Sequence, residues 1–127
     1  MAMAAAEIGT KQLVSQLVPD AAWLAENLPT PPLIRMLSEY LPQLPLVNTD
    51  PPLVPPPSSI LDSLRKGVKM RNSAAHVGAR ALDHDDVQAV IEAVQDLLWL
   101  FDYYAGHRWA LDHLSYERSV ELNLREP

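Results

Sequence analysis

The chain has 127 residues, a length that suits one domain of ordinary size. Hydrophobic residues make up 48% of it and aromatics only 6%, so aliphatic side chains and Ala must fill the core. It has no cysteine, no apolar run near the ~20 residues of a membrane-spanning helix, and a net charge of −6. These features exclude a disulfide scaffold, a helical membrane span and a wholesale nucleic-acid coat, and they favour a soluble protein in the reducing cytoplasm.

From the N-terminus, Ile8, Leu13, Val14, Leu17 and Val18 recur at helical spacing, predicting a helix over residues 4–18 that stops at Pro19. Glu7 and Lys11 interrupt this apolar stretch and no basic segment precedes it, so no signal peptide is expected. Asp20 can cap a short second helix running to residue 28. After Pro29, Pro31 and Pro32, a third helix is predicted over residues 33–41, with Leu33, Leu37 and Tyr40 or Leu41 as its stripe.

Residues 42–57 read PQLPLVNTDPPLVPPP, in which no regular helix survives. The segment is either a linker or an extended strap. Leu44, Leu46, Val47, Leu53 and Val54 favour a strap laid on the domain. Ser59 with Asp62 then has the form of a capping box. It opens a helix whose stripe is Leu61, Leu64, Val68, Ala75 and Gly78, with Arg71 lying on it, and which fades between residues 78 and 82.

Asp83 is placed to cap the longest helix, with Asp85 and Asp86 at its positive end. Val87, Val90, Ile91, Val94, Leu97, Leu98 and Phe101 form an unbroken stripe, the strongest structural signal in the chain. Gly106 is a candidate break before a further segment at residues 109–114. Val120, Leu122 and Leu124 alternate, as a short strand or a docked tail would. The expected fold is an all-α helical bundle in one domain. Short helices occupy residues 1–41, the proline segment 42–57, and the core helices 58–127.

The chemistry concentrates at Arg71-Asn72-Ser73-Ala74-Ala75-His76. Asn72 and His76 are four apart and share a helical face, whereas Arg71 lies roughly 140° from His76 but reaches far. Imidazole moves protons near neutral pH and guanidinium holds a charged phosphoryl oxygen, a pairing suited to phosphodiester cleavage. The approach to the motif is basic. Between residues 63 and 82 the charged side chains are Arg65, Lys66, Lys69, Arg71 and Arg80, with no acid among them. Such a row is either a solvated helix face or a site for a phosphate backbone.

The stretch LRKGVKMRNSAAHVG at residues 64–78, followed by a long amphipathic helix, resembles the HEPN family of helical nucleic-acid-associated domains over roughly residues 59–104. The family motif is an Arg followed by a polar residue, with a His after a gap of four to six residues. Here the gap is Asn72 to Ala75. The proline-rich first half departs from the family pattern. The resemblance implies a metal-independent endoribonuclease acting in a toxin, defence or RNA-processing setting. It also implies a homodimer whose two motifs form one composite cleft, and no cofactor. His76 would assist attack of the ribose 2′-hydroxyl on the adjacent phosphate, Arg71 would stabilise that phosphate and Asn72 would orient it. Arg65, Lys66, Lys69 and Arg80 would bind RNA, and an antitoxin or other regulatory protein would be a natural partner. Some family members are catalytically silent modules that dimerise or bind a partner protein or nucleotide, which is the alternative reading.

Other chemistries find less support. Asp83, His84, Asp85 and Asp86, with His76, could be metal ligands, but a helix cap accounts for the acids. His107 and His113, six apart, do not share an α-helical face. Trp99, Tyr103, Tyr104 and Trp109 could stack on bases, yet aromatics beside so apolar a stripe usually pack in a core or dimer face. No phosphate loop or serine-hydrolase elbow is present.

Overall fold

The computed structural model describes residues 2–21, 27, 32–74 and 84–127, and all regular structure among them is helical. Helix α1 (Ala2–Leu17) buries Met3, Ala6, Thr10, Leu13 and Val14. Ile8, read as part of the apolar stripe, is instead 56% exposed. In the middle of α1 small residues, Ala6, Gly9 and Thr10, face its neighbour at close range: a Cβ on Gly9 would lie 2.6 Å from Leu98 Cδ2. The buried Thr10 hydroxyl donates to the Ala6 carbonyl at 2.7 Å, which removes the cost of burying it. A 3₁₀ turn, Pro19–Ala21, follows.

The helix expected over residues 33–41 is three short pieces. A single α-turn, α2 (Leu33–Arg35), passes into a π-turn, Met36–Tyr40, and a 3₁₀ turn, Leu41–Gln43. Two local causes act. The Ser38 hydroxyl donates to the Ile34 carbonyl, competing with the helical ladder, and Pro42 has no N–H to continue it. Leu33, Leu37 and Leu41 all reach the core, whereas Tyr40 is exposed.

Helix α3 (Ser58–Ala74) packs along α4 (His84–Tyr104) as the central hairpin, and α1 packs on α4. In α3 the inward residues are Ile60, Leu61, Leu64 and Gly67, with Val68 half-buried. Gly67 lets α1 and α4 approach together. A Cβ there would meet Met3 Sδ at 2.6 Å and Val90 Cγ1 at 3.0 Å. The Ser59–Asp62 capping box does not form. Ser59 Oγ donates to the Glu121 carboxylate, and Asp62 pairs with Arg65.

In α4, Val90, Val94, Leu97 and Phe101 are buried, but Ile91 is exposed. Towards its C-terminus the buried surface widens to include Ala93, Asp96, Leu100, Tyr103 and Tyr104. At Tyr103 and Tyr104 the cause is the proline segment, which lies as an extended strap across this end. Its own Leu44 and Leu53 are buried in the core. Val47 N–H and Asn48 Nδ2 donate to the Tyr104 and Tyr103 carbonyls, each at 2.8 Å, so the strap caps α4 from a distant part of the chain. In return, the Tyr103 hydroxyl donates to the Pro51 carbonyl at 2.7 Å and the Tyr104 hydroxyl to that of Leu53 at 2.5 Å. Burial pushes the Tyr104 phenol far above its ordinary range, because the phenolate would lose water and gain no cation.

Gly106, at φ +120°, breaks α4, a conformation L side chains rarely adopt. A 3₁₀ helix, Arg108–His113, and α5 (Tyr116–Glu121) follow. The alternating tail is therefore no strand: Val120 lies in α5, and a turn with Asn123 at φ 60° carries the chain on to Leu124. Among the described residues no helix is long and apolar enough to cross a membrane.

Candidate functional site

Arg71 and Asn72 stand exposed in the last turn of α3. They share the end of the hairpin with the first turn of α4, because Lys66 Nζ lies 3.6 Å from Asp86 Oδ1. His76 and Arg80 lie outside the described residues, as do Ala75, Gly78 and Asp83. Arg71 sits off the buried face of α3, although its spacing placed it on the apolar stripe. Its guanidinium instead turns toward α1, where Nη1 reaches Glu7 Oε1 at 2.5 Å.

The row of bases is thus less free of acids than its local sequence shows. Arg65 pairs with Asp62 at 2.7 Å, Lys66 with Asp86 and Arg71 with Glu7. Among the described residues Lys69 forms no ion pair. All four cations are exposed, so these pairs are solvated and contribute at most about 1 kcal/mol each. An incoming phosphate, which accepts a bidentate guanidinium bond, can displace such a partner. The arrangement suits anion binding at the end of α3, with Glu7 as the competing anion.

Two groupings escaped sequence reasoning. The first is a buried polar cluster. Asp96 is 2% exposed in the middle of α4 and accepts from Ser115 N at 2.9 Å, Ser115 Oγ at 2.8 Å and Arg118 Nε at 3.1 Å. Arg118 Nη1 goes on to Ser59 Oγ at 2.5 Å, joining α5 to α3 and α4. A carboxylate beside the apolar stripe of α4 was the available signal that a cation must face it. The arrangement is a clamp, with its polar atoms satisfied.

The second is a cluster of rings. Trp99 stacks on His113 with centroids 4.5 Å apart, and Trp109 meets Trp99 at 6.1 Å, His107 at 5.7 Å and His113 at 5.6 Å. His113 lies in the 3₁₀ helix, and His107 is the non-helical residue before it. Both rings reach Trp109 from either side of it in the chain. Tyr103 and Tyr104 belong to the core. Among the described residues no group of three His, Cys, Asp or Glu could hold a metal ion. No protein-family model, curated protein or solved structure matches the chain.

Proposed function

We propose that the chain is a HEPN-type, metal-independent endoribonuclease that works as a homodimer, with Arg71, Asn72 and His76 as its catalytic group. The observation that carries this reading is the exposure of Arg71 and Asn72 side by side at the end of the α3–α4 hairpin, with His76 four residues beyond Asn72 in sequence. His76 takes the proton of a ribose 2′-hydroxyl, whose oxygen attacks the adjacent phosphorus. The P–O5′ bond breaks, the leaving O5′ takes a proton from water, and the products are a 2′,3′-cyclic phosphate and a 5′-hydroxyl end. Arg71 stabilises the charge that builds on the phosphoryl oxygens, and Asn72 orients the group. Arg65, Lys66, Lys69 and Arg80 hold the flanking backbone.

The purified protein should cut single-stranded RNA in the presence of a chelator and leave the DNA analogue intact. His76→Ala and Arg71→Ala should each lower the rate about 10²–10⁴-fold with helicity retained. Arg71→Lys should rescue only partly, since an ammonium is no planar fork. Light scattering should report a dimer. Undiminished cleavage by His76→Ala would refute the assignment.

A silent binding module is the second reading, favoured by the engagement of Arg71 with Glu7. Under that reading the wild type cuts no RNA, and Glu7→Gln does not release any activity.

A further inference from the structure

The chain after α4 carries a second feature. A cleft of about 430 Å³ opens between the 3₁₀ helix Arg108–His113 and the segment after α5, with Arg108, Trp109, Asp112, Leu124 and Arg125 among its walls. Its volume falls within the ~300–1,000 Å³ of small-molecule sites. Trp109 is 53% exposed, although it lies beside three other rings. Arg108 uses Nη1 on the Asp50 carbonyl at 2.8 Å, and the Arg125 guanidinium lies 5.6 Å from the centre of the Tyr116 ring. Among the described residues neither arginine is paired with a carboxylate, in a chain with 16 acids and only 10 Lys and Arg.

We infer that this cleft binds a nucleoside monophosphate group. The exposed indole offers a stacking surface for a base, a contact indifferent to sequence because every base has a π-face. The two guanidiniums offer planar forks to a phosphate. Asp112, the acid in the wall, repels an anion placed directly on it but accepts hydrogen bonds from ribose hydroxyls. This division of the cleft asks for a ligand with an anionic end, a neutral hydroxylated middle and an aromatic end. Bare phosphate or a bare nucleoside meets only part of it. The cleft is walled by residues between Arg108 and Arg125 and shares no residue with the Arg71 motif, so one protomer's motif and cleft are separate sites. The inference does not depend on the ribonuclease reading.

Calorimetric titration of the full chain tests it, using AMP, adenosine, inorganic phosphate and a 2′-O-methyl tetranucleotide with or without a 5′-phosphate. AMP should bind at least tenfold more tightly than adenosine or phosphate. Trp109→Ala and Arg125→Gln should each weaken AMP at least tenfold, and Arg71→Ala should leave it unchanged. Arg125 lies on the exposed tail, so its variant remains informative if Trp109→Ala fails to fold. Tighter binding of the 5′-phosphorylated oligomer than of AMP assigns the cleft to RNA ends, and the reverse assigns it to free nucleotides. No saturable AMP or oligomer binding up to about 5 mM, or binding indifferent to Arg125→Gln, overturns the inference.

Discussion

Replacing Asp96 by Ala removes the acceptor of three hydrogen bonds and leaves Arg118, itself only 9% exposed, with the partly exposed Glu121 carboxylate at 3.6 Å as its remaining ion partner. Removing one partner of a buried ion pair costs about 3–5 kcal/mol, mostly because the remaining charge has lost its compensation. Unfolding entropy of about 2.1 cal/mol/K per residue, over 127 residues, makes each kcal/mol worth nearly 4 °C, so Tm should fall by roughly 11–19 °C. Circular dichroism at 222 nm reads the transition. The companion variant Asp96→Leu/Arg118→Met takes both charges away, and it should recover to within a few degrees of wild type, since well-packed apolar replacements of a buried pair are often neutral. The non-additivity of the pair measures the coupling directly. A fall under about 5 °C for Asp96→Ala would refute the reasoning, because Glu121 alone would then be compensating Arg118.

Tyr104→Phe leaves the Leu53 carbonyl without its donor and should cost about 1–3 kcal/mol, read as Tm against wild type. The same residue sets an alkaline limit. Its folded pKa is raised, so its contribution is fully present below the ordinary phenol range and is lost as pH climbs above about 10, where the unfolded chain ionises first. Wild-type Tm should therefore drop more steeply there than that of Tyr104→Phe, and equal slopes would contradict the burial argument. Gly67→Val adds a branched side chain where even a Cβ would meet Met3 and Val90, so urea unfolding should show a loss of about 1–3 kcal/mol.

The all-α class was legible because the stripe from Val87 to Phe101 has one reading, and its partner in α3 begins cleanly after Pro57. What escaped depends on partners distant in sequence. Ser59 resembles a capping residue because Asp62 stands three positions on, yet its hydroxyl donates to Glu121 and accepts from Arg118, 62 and 59 residues away. Ile8 looks like a core residue until Leu98 and Phe101 press against Gly9 and turn small residues inward. At the candidate site, the exposure of Arg71 and Asn72 could not be derived from spacing, which put Arg71 on the apolar stripe. Glu7 was likewise unreadable as its partner, 64 positions away. The Arg108–Arg125 cleft is legible only once Gly106 turns the chain and α5 brings its two cations together.

The strap's attachments also bear on the speed of folding. Hydrogen bonds from Asn48 to Tyr103, Tyr103 to Pro51, Tyr104 to Leu53 and Arg108 to Asp50 join residues 51 to 58 positions apart. The α3–α4 hairpin can zip from near neighbours, but the last turn of α4 keeps open carbonyls until a segment half a chain upstream arrives. Closing that loop costs entropy before any of these contacts repays it. This helical protein should therefore refold on the order of milliseconds, nearer to mixed α/β domains than to the microsecond range of simple bundles.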